Sequence, residues 1–294
     1  CLHCEKRKEE WSVYAALLAD VKGSKGYGNK ERHALQERID LTIRCLNDMY
    51  RGMLVKEVGF SGGDEVQGLF TDPISAYMYY RLLSLTLGVG IFRCGIGVGN
   101  WDVKLGDRKE SAAQDGEAYH LAREAIGEAA RSDYYDLVCR TRGNSCDATT
   151  VLLDHSWGLC KIRTDQQNEI AFVAELIYPL VFEGMGAAAF VDSCRYRGTE
   201  LLHIFEARVM ERSKNCGVVE GLLRKGGIEK MEIEPTDASR LGEGLGGRRD
   251  TLVGAARDIG KVTGLSHQGI GRKISQGRLI QERRAIALAA QFGW

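Results

Sequence analysis

The stretch MLVKEVGFSGGDEVQGLF, residues 53–70, decides the fold. Loose alternation from Met53 to Phe60 stops at Ser61-Gly62-Gly63, and a second run, Asp64 to Phe70, resumes after it. Two short runs split by a glycine turn read as a β-hairpin. Upstream, YAALLA at 14–19 reads as a buried strand ending at Asp20, followed by the glycine-rich turn VKGSKGYG. Between strand and hairpin, Leu35, Ile39, Ile43, Leu46 and Tyr50 recur at helical spacing. Downstream, Asp72-Pro73 opens a helix that runs to about Leu87, with Pro at an early position. A glycine-containing strand over 89–98 and a helix over 116–130 follow. The order β-α-β-β-α-β predicts an α+β chain with a ferredoxin-like sheet.

That order has a geometric consequence. A right-handed crossover makes the first two strands parallel, so Asp20 and the Gly62-Gly63 turn fall at the same sheet edge. Asp64, just past the turn, is then expected beside Asp20. Singly, Asp20 is an ordinary turn residue and Gly62-Gly63-Asp64 an ordinary hairpin tip. Jointly they form a pair of carboxylates suited to Mg²⁺ or Mn²⁺, which takes a few carboxylates plus phosphate oxygens. Two such ions can polarise the attacking and leaving oxygens of a phosphoryl transfer. Gly23, Gly62 and Gly63 would let backbone N–H groups approach a phosphate chain, and Ser24 and Lys25 would add a hydroxyl and a positive charge.

Composition sets the outer bounds. The chain has 294 residues, 44% hydrophobic and 27% charged, with 40 basic and 40 acidic side chains. Such values exclude wholesale disorder. The longest apolar stretches, around 82–98 and 170–191, are broken by Arg, Glu or Gly, so no membrane span is expected. The polar start CLHCEKRKEE reads as no secretory signal, and nine scattered cysteines fit a cytoplasmic protein better than a disulfide framework. Cys1-x-x-Cys4 with His3 is half of a zinc-like spacing, without a second close pair. The zero net charge is a cancellation. Residues 248–294 hold nine basic and three acidic side chains, a net of +6, and the remainder of the chain carries −6. A basic tail hints at nucleic acid.

The segments LLADVKGSKG (17–26), GFSGGDEVQGLF (59–70), FRCGIGVGNW (92–101) and DGEAYHLAREAI (115–126) resemble, in order, the SatD family. They also resemble the palm domains of class III nucleotidyl cyclases and GGDEF proteins. The resemblance covers roughly residues 13–130, and its most specific part is GGDE at 62–65. It implies that Asp20, Asp64 and the Val21 carbonyl bind metal, with Glu65 taking part as in diguanylate cyclases. Departures are visible. The base-selecting Lys of adenylyl cyclases is replaced by Phe60. On the late helix, His120 stands at the Asn position and Glu124 at the Arg position that contact nucleotide in cyclases. Arg123 is adjacent, about 100° further round the helix. Val66 breaks the full GGDEF signature.

The second half is less legible. Residues 131–198 have no usable pattern, and Asp154-His155-Ser156 lacks the spacing of a catalytic triad. Gly242 to Gly247 fits G-x-G-x-x-G but follows no strand, which makes a linker the better reading. Residues 199–225 read as a packing helix. Ala255, Ala256 and Ile259 suggest another, Gly264 a turn, Leu265 an apolar plug and Ser266 an N-cap, with Ile270 and Ile274 on a core face. This is a helix-turn-helix spacing at about 251–276, and SatD-like chains also look similar here. Ser266, His267, Gln268, Arg272 and Lys273 would face DNA. A protein-binding or dimer-packing helical tail is the alternative.

The expected organisation is a tail at 1–12, a palm at 13–138, an insert or linker at 139–198 and a helical region at 199–294. The expected function is Mg²⁺-dependent binding of ATP or GTP, with a cyclic product as a further step, coupled to DNA binding by a homodimer. The alternative is a catalytically silent, nucleotide-sensing transcriptional regulator.

Overall fold

The computed structural model describes residues 13–101, 116–142, 148–211, 216–238, 252 and 254–292. The Cys1/His3/Cys4 cluster, the glycine run 242–247, and Arg248, Arg249 and Asp250 lie outside the described residues. The chain is α+β, with a five-stranded, mostly antiparallel sheet and many helices.

Strand β1 (Tyr14–Val21) leads through a short 3-10 turn into α1 (Asn29–Met49). The hairpin is β2 (Leu54–Gly62) and β3 (Glu65–Phe70), then come α2 (Pro73–Leu87), β4 (Phe92–Gly99) and α3 (Glu117–Arg131). A further strand, β5 (Leu137–Thr141), follows in the stretch that showed no pattern. The sheet order is β2-β3-β1-β4-β5, and β5 pairs parallel to β4 while the other pairings are antiparallel. Strand β2 is therefore parallel to β1, and their ends share one edge of the sheet. The hairpin turn is tighter than its sequence suggests. Gly62 pairs with Glu65, which leaves Gly63 and Asp64 as a two-residue turn with Gly63 at φ 61°.

Both faces of β1 are covered, which is why YAALLA is a continuous apolar run. Ala15, Leu17, Ala19 and Val21 face a large core shared with α1 and α2. Ala16 and Leu18 face a smaller one under α3 with Ala118, Tyr119 and Ala122. The register explains the glycines of β4. Gly95 and Gly97 pair with Leu18 and Ala16, beneath α3. A Cβ on Gly97 would lie 2.1 Å from the Ala118 carbonyl oxygen, and one on Gly95 would lie 2.3 Å from that of Ala122. The helix backbone rests directly on the strand, and only Gly fits between.

Helix α2 is buried on every side. The sequence YMYYRLLSLTL has no polar face, with apolar residues on every side around Arg81, Ser84 and Thr86. Asp72 caps it, accepting from the Ser75 N–H at 2.8 Å with Pro73 in the first turn. Two of its tyrosines find partners inside: the Tyr77 hydroxyl meets Ser156 at 2.7 Å, and Tyr79 donates to Asn47 at 2.9 Å.

The remaining chain adds helices, several of which pack on α2. They are α4 (Ala148–Lys161), α5 (Asp165–Ile177), α6 (Ala187–Glu211), α7 (Gly217–Arg224), α8 (Ala255–Thr263), α9 (His267–Gln276) and α10 (Leu279–Gln291). Two-residue strands β6 (Leu180–Val181) and β7 (Thr236–Asp237) pair between them. The single packing helix expected over 199–225 is two, since α6 begins at Ala187 and α7 is separate. Six described cysteines, Cys45, Cys94, Cys139, Cys160, Cys194 and Cys216, are free thiols, and burial pushes those of Cys45 and Cys160 up to about 12. No described helix is long and apolar enough to cross a membrane.

Candidate functional site at the sheet edge

Alternation along β1 puts Asp20 on the same face as Ala16 and Leu18, the first polar group beyond the α3 core. Across from it on β4 stands Arg93, its register partner, with a guanidinium nitrogen 3.7 Å from Asp20 Oδ2. On the other side β3 begins, one step beyond the Ala19–Val66 pair, so Glu65 and the turn residue Asp64 reach the same edge. Ser61 donates to Glu65 at 2.6 Å, and Arg123, from α3, comes within 3.8 Å of it. Burial raises the Asp20 carboxyl above the usual carboxylate range. Arg93 opposes that rise, and the negative charges of Asp64 and Glu65 add to it. Asp20 Oδ1 is shielded from solvent and has no hydrogen-bond partner among the described residues.

The loop after β1 turns at Gly23, where φ is 63° and no atom lies within 4 Å of a would-be Cβ. A side chain there would be strained in spite of the open space. Ser24 is half-buried and Lys25 exposed. Arg32 donates to the Ser24 carbonyl at 2.8 Å, and Gln36 reaches the Gly63 carbonyl at 3.2 Å, so α1 braces both glycine turns. Val21 is buried, and its neighbour Lys22 pairs with Asp136, which Lys161 also holds at 3.0 Å. Beside the loop, on the α1 side, a cleft of about 370 Å³ is lined by residues that include Tyr27, Lys30, Leu35, Leu87 and Arg208. Neither Asp20 nor Asp64 lines it.

Among the described residues no group of three or more His, Cys, Asp or Glu side chains is arranged to hold a metal ion. A Mg²⁺ ion bound with a nucleotide does not require one, since one or two carboxylates and phosphate oxygens suffice. The unpartnered Oδ1 of Asp20, with the negative charges of Asp64 and Glu65 acting on it, fits a cation. His120 and Glu124 are both exposed on α3, one turn apart, and Phe60 is exposed on β2.

The model described as the SatD family matches residues 14–142. That region belongs to the SatD family. No curated protein and no solved structure matches the chain. The SatD region begins with β1 and ends just after β5, so the match takes in the whole five-stranded sheet.

Sequence inspection missed Arg93, although FRCGIGVGNW displays it. Pairing β1 with β4 would have placed it opposite Asp20. In the C-terminal part, the expected helices are present as α8 and α9, joined by Gly264 at φ 73°, Leu265 and Ser266. Ser266 accepts from the Gly269 N–H at 3.5 Å, and Ile270 and Ile274 are buried. Leu265 is not the expected plug: it is 43% exposed, and it approaches Gly260 through its carbonyl oxygen, not its side chain. His267, Gln268 and Arg272 are exposed and Lys273 half-buried. Arg283, counted in the basic tail, is fully buried, as is Glu282, so the pair cancels. Asp154-His155-Ser156 lies on α4 with Ser156 turned inward to Tyr77 and His155 outward, so the three do not converge.

Proposed function

We propose that the SatD region is a palm of the nucleotidyl cyclase and GGDEF type that binds ATP or GTP with Mg²⁺ or Mn²⁺. The observation carrying this is the meeting of Asp20 and Asp64 at one sheet edge, with Asp20 Oδ1 unpartnered. The β-α-β-β-α-β order and the sheet order β2-β3-β1-β4 support it. In this reading Asp20, Asp64 and the Val21 carbonyl hold the ion, with Glu65 beside them. The ion would supply charge neutralisation and polarise phosphate oxygens. Gly23, Gly62, Gly63, Ser24 and Lys25 cradle phosphates by backbone N–H, hydroxyl and ammonium groups. Arg123 faces the same edge from α3, and exposed His120 lies one turn before it on that helix.

The exposed Phe60 and Glu124, standing where a cyclase has its base selector and transition-state Arg, favour a nucleotide sensor over a cyclising enzyme. We place α8 and α9 as a helix-turn-helix whose Gln268, Arg272, His267 and Lys273 meet DNA, with Ser266 as the cap, in a homodimer. Calorimetry with Mg²⁺ and each NTP tests the palm. Heat of binding that vanishes in Asp64→Ala is expected, and no heat with any nucleotide overturns the reading. Mass spectrometry of the same mixtures separates sensor from enzyme, since a cyclic product lost in Asp64→Ala would establish turnover.

A further inference from the structure

The carboxylate edge holds two cations of its own, and they are held loosely. Arg93 lies 3.7 Å from Asp20, and Arg123 lies 3.8 Å from Glu65. Both separations allow Coulomb attraction but exceed a good hydrogen bond. The contrast with Arg140 on β5 and Glu128 on α3, 2.5 Å apart, shows that a closer strand-to-helix pair is feasible in this fold. Asp20 and Arg93 are each 32% exposed, so the guanidinium borders solvent. The Arg93 backbone is fixed by pairing with Asp20, while its long side chain reaches partly into solvent.

Asp64 and Glu65 add negative charge to that of Asp20 at this edge. A divalent ion competes with Arg93 for the single negative charge of Asp20: Arg93 lies near Oδ2, Oδ1 has no partner, and the ion carries twice the charge. A guanidinium displaced there would stand beside whatever phosphates the ion brings, and its planar fork suits phosphate oxygens. We propose that Arg93 is a phosphate-binding residue held in reserve by Asp20. It neutralises the edge while no cation is present, and it turns to the nucleotide's phosphates when a divalent ion takes Asp20. This inference rests on the metal–nucleotide reading of the site.

The test uses the full chain and two ligands measured separately. Mn²⁺ alone is titrated by electron paramagnetic resonance, and Mg²⁺ with GTP and with ATP by calorimetry, on wild type, Arg93→Gln and Arg93→Lys. Thermal melts confirm that each variant is folded. Removing the competing charge is expected to tighten Mn²⁺ binding about two- to fivefold in Arg93→Gln. Loss of a charge-assisted phosphate contact is expected to weaken nucleotide binding about tenfold or more in the same protein. Arg93→Lys keeps the charge and is expected near wild type with Mn²⁺. Opposite shifts support the exchange. Shifts of the same sign, or none, in a wild-type background that binds both ligands overturn the exchange alone. A wild type that binds neither ligand overturns the reading of the site, and the exchange with it.

Discussion

Arginine meets carboxylate in two places in this molecule, under opposite conditions. At the sheet edge, Asp20 with Arg93 and Glu65 with Arg123 are loose pairs bordering solvent. Beneath α2, Arg81, Arg163 and Arg283 meet Glu175 and Glu282 with almost no exposure. Arg81 binds both glutamates, reaching Glu175 at 2.7 Å. Arg163 joins Glu282 at 2.5 Å and the Gly277 carbonyl at 2.6 Å, and Arg283 reaches Glu175 at 2.8 Å and the Tyr178 carbonyl at 2.6 Å. Cys160 donates its thiol to Glu282 at 2.9 Å. Every charge there has several partners, as a buried charge requires. The edge leaves an oxygen of Asp20 without one. A saturated network fixes the mutual position of α2, α4, α5 and α10, whereas an unsaturated one retains capacity for a ligand.

The comparison is broken most severely at Glu282. Its replacement by Ala leaves Arg81 and Arg163 charged and short of a buried partner, and should cost about 3–5 kcal/mol in urea denaturation. Acid probes the same group. Burial by itself would raise the Glu282 carboxyl, but Arg163 and Arg81 outweigh it and hold it well below its ordinary 4.5. Its stabilising contribution is therefore complete above about pH 4.5 and is lost as pH falls toward the depressed value. A melting-temperature series from pH 7 downward should decline in that window, and less so in Glu282→Gln.

A second large effect belongs to the sheet. Gly97→Ala drives a methyl into the Ala118 carbonyl and should cost about 1–3 kcal/mol by denaturation. Asp64→Ala, at a half-buried position of a two-residue turn, should leave stability within about 0.5 kcal/mol of wild type while removing nucleotide binding in calorimetry. For the tail, Arg272→Ala should weaken duplex DNA binding by about 1–3 kcal/mol in anisotropy titrations, with steep salt dependence for the parent protein. No binding of the parent to specific or random duplex would end the DNA reading. The smallest effect is Asp20→Asn. Since the folded state raises the Asp20 carboxyl, ionised Asp20 costs stability at neutral pH. Its neutral isostere should gain about 1–2 °C in melting temperature while losing metal binding.

Much of the sheet was legible because local rules govern it. The hairpin at 59–70, the Asp72-Pro73 helix start and the Ser266 cap depend on neighbours a few residues apart, and each stands where the residues place it. The site was legible for a further reason: a right-handed crossover brings distant strand ends to one edge whatever the side chains between. Strand β5 was not legible. Only five residues long and paired parallel to β4, it is defined by a neighbour more than 40 residues away.

The sequence by itself determined that Asp20 and Asp64 share an edge, that glycines flank them, and that basic charge gathers toward the C-terminus. Only the tertiary structure decided which charges are available. Arg81 sits in an apolar helix and Arg283 in a basic tail, yet both are spent on Glu175, while Arg93 from an ordinary strand stands over Asp20. An ionic partner is chosen by proximity in space, and the desolvation that gives such a pair its strength arises only when the layers close around it.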